Sequence, residues 1–416
     1  MNQESIKSAG TLDLSFGTNG VVIMPKGATE ILALTDNKLL VITEWVSTAL
    51  PYRVVRFTEA GVLDTSFGNG GVVEIPFELG INFYPGKMCA LQEGGYLITG
   101  ARKGASDKLF VVRLLEDGAL DAAFGEAGVV TLRALDIGEN TKFFGSTDDW
   151  KTVGDADVVG TPLMAVSERN AKIYVGASLL SDNAFKGIVF CLNDDGSMDT
   201  NFNGGHVFIE APDAHVSLGS MAVQGDGVLV GGVGFVSNGP EGDAFVTRYD
   251  RTGMIDNLFG NGGTTRIPNG HVDRRSRLVS MALNRNDGIL ASGYSIKGGV
   301  VEGLITVLDS DGTLDSSFNG GEPVQETFLA DLIFWGCDWQ QDEKLIVTGT
   351  GDGGCLVVAR FDLDGSLDLS FGGTGWTEFR DKADSRHHKS ELTADNKIVI
   401  LGRTPVGEEF VVRYLG

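Results

Sequence analysis

The chain has 416 residues, of which 42% are hydrophobic, and it carries 33 Lys and Arg against 56 Asp and Glu for a formal charge of −23. Such a charge excludes nucleic acid or an anionic membrane as a partner for the whole surface, because phosphate contact needs a basic footprint. No apolar run approaches membrane-spanning length, and the N-terminal stretch Met1 to Lys7 has no apolar segment of the kind that directs secretion. The expectation is a protein with no membrane insertion that is cytoplasmic, or exported by a route other than a cleavable signal peptide.

The chain opens on Leu12-Asp13-Leu14-Ser15-Phe16-Gly17, and this phrase returns six times, ending at Phe67, Phe124, Phe202, Phe259, Phe318 and Phe371. Recurrence at 51–78 residues is the signature of a propeller or solenoid, in which each repeat buries its apolar surface against its neighbours. In the second unit, short β-rich runs begin near Met88, Tyr96, Leu109 and Gly128, separated by turn residues. Four such runs make one propeller blade. The chain begins with a fourth-strand run (Gly20 to Met24) that has no first three, and it ends on a third-strand run (Phe410 to Tyr414) that has no fourth. The two fragments complete one blade. The sequence therefore predicts an all-β fold: one seven-bladed propeller over residues 1–416, with four-stranded antiparallel blades and the N-terminal strand completing the C-terminal blade. An insertion at about 134–160, bearing Phe143, Phe144 and Trp150, is expected on the variable-loop face or at an oligomer contact.

The segment Asp364 to Gly372, followed by a short strand, resembles the bacterial delta-60 repeat, a β-propeller family of unassigned function. The resemblance covers essentially the whole chain apart from the insertion. It implies the fold and brings no catalytic residues with it.

Residues that recur at one register are expected to be scaffold. Arg56, Arg113, Arg248, Arg360 and Arg413 share a third-strand position, where a planar guanidinium suits a buried pair with the repeated Asp. Stretches such as Asp362 to Asp368 echo a calcium loop but lack its closing glutamate, so they read as Asp/Gly turns. Cys89, Cys191, Cys337 and Cys355 form no metal-type spacing and read as free thiols, with Cys89 and Cys337 at one register. No cofactor is implied, and no metal ligand set stands out.

Residues that occur once point to function. The segments leading into each first strand differ most between repeats, and loops on a rigid ring are the usual home of sites. They hold His271 with Arg274, Arg275 and Arg277, then Phe328, Phe334 and Trp335, then Arg386, His387 and His388. Neighbouring blades would so present a cationic and aromatic loop face suited to a small anionic or glycan-like ligand or a protein partner. Beside the channel, Asp338 replaces alanines and Glu391 replaces apolar residues one position earlier, which opens a hydrolase or lyase alternative with an acid/base pair at the channel mouth. A third reading is a pure interaction scaffold. The sequence favours non-catalytic binding and leaves the oligomeric state open.

Overall fold

The computed structural model describes residues 8–43, 52–75, 83–102, 107–138, 141–143, 164–181, 184–209, 215–235, 242–380, 386–404 and 406–416. Its strands form seven separate antiparallel sheets, as the sequence predicts. The innermost strands of blades one to seven are Ala28–Ala33, Phe83–Ala90, Met164–Arg169, His215–Gln224, Arg274–Leu283, Ile333–Trp339 and Arg386–Leu392. Six blades have four strands. Blade three gains a fifth, Thr141–Phe143, which pairs with Leu179 to Ser181. This part of the insertion packs inward: Phe143 is 1% exposed and meets Phe190 edge-on at 6.2 Å. Phe144 and Trp150 lie outside the described residues.

The ring is closed by the two chain ends. Val21–Ile23 adds to the last strand, Glu409–Tyr414, with Val21 opposite Val412 and Ile23 opposite Phe410. Closure leaves neither end of the array with an unpaired edge. The latch is also ionic. Asp13 meets the Arg413 guanidinium at 2.8 Å, their side chains only 3% and 1% exposed.

The recurrent phrase explains how blades join. In all seven copies the aspartate side chain accepts the backbone N–H two residues on, at 2.8–3.1 Å. Its carbonyl accepts the N–H of the phenylalanine, forming a tight turn. The turn drives each phenylalanine into the seam, where all seven are at most 2% exposed. The residue after it has positive φ in every copy, between 45° and 62°. That conformation suits glycine and is tolerated by asparagine, which is why Asn203 and Asn319 are the two non-glycine occupants. In six copies this residue donates its N–H to a turn carbonyl of the next blade, as Gly17 does to Ala60 and Gly372 does to Ala9.

The arginine column meets the same turn. Arg56, Arg248 and Arg360 each reach their phrase aspartate at 2.8 Å, and Arg113 does so at 3.1 Å. Each guanidinium also lies over its phrase phenylalanine, from 4.3 Å at Arg413 to 5.8 Å at Arg113. Two blades lack the arginine. Cys191 stands there in blade three, where Lys172 reaches Asp199 at 2.6 Å instead, and Val307 stands there in blade five.

Burial opposes ionisation of Asp13 and Asp368, but hydrogen bonds from Ser15 and Ser370 and the facing cations outweigh it, and both fall to about 2. A carboxyl lowered on folding contributes stability above its unfolded value, and that contribution is lost as pH falls through the folded value. Unfolding by acid is therefore expected between about pH 4 and pH 2. Asp13→Ala strands the buried Arg413 charge and is expected to cost about 3–5 kcal/mol in denaturant unfolding at pH 7. Arg285→Ala, which breaks an exposed pair with Glu343, serves as the control and should change nothing measurable.

Candidate functional site

Among the described residues, six of the seven inner strands carry a bulge, at Ala28/Glu30, Pro85/Met88, Leu218/Ser220, Leu278/Ser280, Phe334/Gly336 and His387/Lys389. A bulge adds one residue, re-aims the side chains beyond it and shifts the count against a neighbour without one. Counting rungs from the first turn of each sheet puts Asp338 opposite Ile346 and Glu391 opposite Val399. Both are therefore on the second rung, not staggered by one as the sequence suggests. Cys89, opposite Leu97, shares that rung, while Cys337, opposite Val347, is one further along, so the two cysteines are not in register.

The bulge rung brings charge into the channel. Glu30, Lys389 and Lys87 occupy it in consecutive blades, where blades four and five have Ser220 and Ser280. One Glu30 oxygen lies 3.6 Å from the Lys87 ammonium and 3.7 Å from that of Lys389, which is also 3.4 Å from Glu391. Glu30 itself is 4% exposed. Lys87, Lys389 and Glu391 keep 31%, 28% and 22% of their side chains open, and as the fold surrounds them that opening faces the channel. Asp338 accepts the Trp339 N–H at 2.8 Å and has no ion-pair partner among the described residues.

These neighbours set the protonation states. Burial and then the Glu391 charge push the Asp338 carboxyl up to about 7. Burial also raises Glu391, against the opposing pull of Lys389. Burial works against the Lys389 ammonium, yet Glu30 and Glu391 together hold it well above the usual lysine range. Burial and the Lys389 charge bring Lys87 down to about 8, against the pull of Glu30 and, more weakly, Glu391.

The second set of candidates sits higher on blades five to seven. Arg274, Arg275, Arg277, Trp335, Arg386 and His387 belong to inner strands and not to the loops before them, because those strands run farther than the apolar pattern indicates. His271 alone lies in a turn. Arg274 binds Glu302 at 2.9 Å and the Asn269 carbonyl at 3.0 Å. His271 Nδ1 accepts the Asp273 N–H at 3.2 Å. The side chains of Arg386 and His387 fall outside the described residues.

Arg275 and Arg277 differ from Arg274. Alternation along the strand places them on one side of the sheet, opposite Ile296 and Tyr294. Tyr294 in turn meets Trp335 of blade six, ring centres 6.5 Å apart, while the indole N–H donates to Thr350 at 3.0 Å. Arg277 is 6% exposed and donates to the Ser217 hydroxyl of blade four at 2.8 Å. Among the described residues no carboxylate pairs with Arg275 or Arg277. Phe334 and Phe328, expected as platforms, pack inward instead: Phe334 is fully buried, and Phe328 stacks on Trp376 at 5.0 Å. Tyr294, Glu30 and Lys87 were not among the residues that sequence reasoning chose as site candidates, and Lys389 was expected only as part of the cationic loop face around His387. A signal existed for Glu30, Lys87 and Lys389, since each puts charge on a strand position where other blades have serine or alanine.

The Asp/Gly turns satisfy themselves. Asp364 accepts the Ser366 N–H and hydroxyl at 2.9 and 2.7 Å, and Asp195 and Asp311 do the same with Ser197 and Thr313. Among the described residues no three His, Cys, Asp or Glu side chains converge as a metal site.

Residues 340–371 match the family model of a domain of unknown function, the DUF5122 beta-propeller. The stretch covers most of blade six, including one copy of the phrase. A comparison with curated proteins finds no match. Among solved structures, puromycin hydrolase is 11% identical with a TM-score of 0.49, the match covering 95% of this chain and 56% of that one. The chain thus spans little more than half of that relative. The β-propeller domain of the Trilobed protease from Pyrococcus furiosus is 9% identical with a TM-score of 0.49, covering 94% and 95%. YCF48 bound to D1 peptide is 14% identical with a TM-score of 0.42, covering 98% of both chains. At these identities no activity transfers.

The raised Asp338 carboxyl makes a pH-dependent prediction. A carboxyl whose value rises on folding favours the folded state below its unfolded value, and that advantage is lost as pH climbs through the folded value. Asp338→Asn is therefore expected to be more stable than the parent above pH 7, the difference shrinking towards pH 5. Melting temperatures measured across that range check it; a pH-independent difference would show that Asp338 titrates normally.

Proposed function

We propose that this chain is a non-catalytic binding propeller of the delta-60 repeat type, and that it takes an anionic or glycan-like ligand on the strip formed by Arg275, Arg277, Tyr294 and Trp335. The observation that carries this reading is Arg277. A buried guanidinium ordinarily sits against a carboxylate, because an uncompensated charge out of water is costly. Here, among the described residues, its partner is one neutral hydroxyl from the next blade. Arg275 adds a second cation two residues away on the same side, and the half-buried Trp335, backed by the buried Tyr294, adds a ring face against which a sugar packs. A carboxylate on the ligand would take the place of the missing counter-ion.

Calorimetric titration with an oligouronate and with the neutral oligosaccharide of equal length tests the reading. The acidic ligand should bind more tightly, and Arg275→Ala should weaken it about tenfold or more. Arg277→Gln should do likewise, with its melting curve checked for an intact fold. Equal binding of both sugars, or no change in Arg275→Ala, would remove the strip as the site.

A second reading, a hydrolase or lyase at the channel mouth, is favoured by one observation: Asp338 and Glu391 share a rung in adjacent blades, with Asp338 poised near neutrality. Against it, Glu391 is already engaged by Lys389.

A further inference from the structure

The channel holds a pair of amines that the binding reading does not use. Lys87 and Lys389 come from blades two and seven, on either side of blade one, and both converge on one oxygen of Glu30. Each is delivered by a bulge. In blade two the irregularity falls between Pro85 and Met88, and the Lys87 backbone is fastened there on both sides. Its N–H donates to the Thr99 hydroxyl at 3.0 Å, and that hydroxyl donates back to the Lys87 carbonyl at 3.2 Å. Thr99 is 1% exposed, so the clamp belongs to the rigid sheet. The lysine stem is thus aimed from a fixed point, while about a third of the side chain stays open to the channel.

The two ammonium groups are not equivalent. Lys389 sits between two carboxylates, Glu30 and Glu391, whereas Lys87 has Glu30 alone, at a distance too long for a hydrogen bond. Two cations cannot share one buried carboxylate without cost, and the less supported one gives up its proton more readily. A lysine placed beside a second cation in a desolvated site is the arrangement that yields a nucleophilic amine near neutral pH.

We propose that Lys87 is a carbonyl-reactive amine, and that the channel takes a small 2-oxo acid as an imine on its Nζ, with the ligand carboxylate against the Lys389 ammonium. The Lys87 lone pair adds to the carbonyl carbon and forms the C–N bond. A proton passes from nitrogen to the former carbonyl oxygen, with Glu30 as the nearest recorded base to relay it. Loss of that oxygen as water leaves the imine. Amine and carbonyl become imine and water, with no oxidant or reductant required. The charged groups that face Lys87 are Glu30 from blade one and Lys389 and Glu391 from blade seven. The lowering of Lys87 to about 8 agrees with the geometry.

Reductive trapping tests this on the full chain. The protein is incubated with glyoxylate and borohydride over a range of pH, and the labelled lysine is located by peptide mass mapping. The expected result is one fast-labelling site at Lys87, with a half-maximal rate near pH 8. Lys87→Met should abolish the fast phase. Lys389→Met should slow the labelling of Lys87, because it removes the cation that holds the glyoxylate carboxylate. It should also move the half-maximal pH up towards the ordinary lysine range, a shift that a merely structural role for Lys389 would not produce. Labelling spread evenly over exposed lysines would overturn the proposal, as would a Lys87 profile unmoved by Lys389→Met. Neither result bears on the Arg275–Arg277 strip, which is tested with sugars alone.

Discussion

The phrase turn and the phenylalanine it plants between blades are the interaction on which the rest depends. Each blade alone is a small twisted sheet with both faces apolar, and it is stable only while both faces are covered. The aspartate fixes the turn, the turn fixes the ring, and the residue of positive φ that follows hands a hydrogen bond to the next blade. The arginine closes the unit from above, satisfying the carboxylate and covering the ring. At the junction of the chain ends the same unit is assembled from Asp13 and Arg413, which lie at opposite ends of the sequence. A local motif there becomes a contact between residues 400 apart in the chain. Folding must bring the two ends together before it is gained, so the loop entropy of the whole ring falls on one blade.

The two exceptions show which parts of that unit are essential. In blade five Val307 replaces the arginine, yet Phe318 remains 2% exposed, Ser317 still donates to Asp315, and Asn319 still reaches Asp364 in the next blade. In blade three Lys172 comes from a neighbouring strand to neutralise Asp199, and Cys191 fills the vacated position. The turn, the ring and the positive-φ residue persist in all seven blades; the cation is replaceable. Charge neutralisation thus refines a seam that shape and backbone hydrogen bonding already hold.

The architecture was legible because its signal repeats. Seven phrases, a lone strand at one end and an unfinished sheet at the other sufficed for blade number and closure. Register along the inner strands was not legible. The alanine that marks these strands lies one rung short of the arginine column in blades one and two, as Ala33 and Ala90, but level with it in blades four and five, as Ala222 and Ala282, so Asp338 and Glu391 looked staggered when they share a rung. The site was partly legible for a related reason. Arg275, Arg277 and Trp335 stand out as cationic or aromatic residues in a segment that differs between repeats. Tyr294 looks like ordinary strand sequence, and only the ladder reveals that it connects Arg277 to Trp335. Arg274 is as conspicuous as Arg275 by sequence, yet it faces the other way and is spent on Glu302. Alternation on a strand separates such neighbours, and which of them turns inward depends on where the bulge falls.

The channel departs from sevenfold symmetry in a way that bears on its chemistry. On one side serines stitch blade to blade: Ser220 accepts the Met281 N–H and Ser280 accepts the Cys337 N–H. On the other side, from blade six through blade two, the inner strands bring in Asp338, Glu391, Lys389, Glu30 and Lys87. Beside them a hydroxyl pair, Thr348 and Ser390, joins blades six and seven. With every group ionised, three carboxylates face two ammonium ions, and one negative charge is left over in a poorly hydrated space. The arc relieves this by keeping Asp338 protonated up to about neutral pH, since burial and the Glu391 charge outweigh the pull of Lys389 there. It is then electroneutral without a bound ion. A ligand that brings one carboxylate would upset that balance unless a carboxylate of the arc gains a proton with it. Glu391, which burial raises, is the carboxylate placed to take that proton, while Lys87 and Asp338 are the groups that exchange protons nearest neutral pH. The asymmetry therefore makes this arc the part of the ring where added charge can be absorbed by moving protons, with the sheets that hold it left as they are.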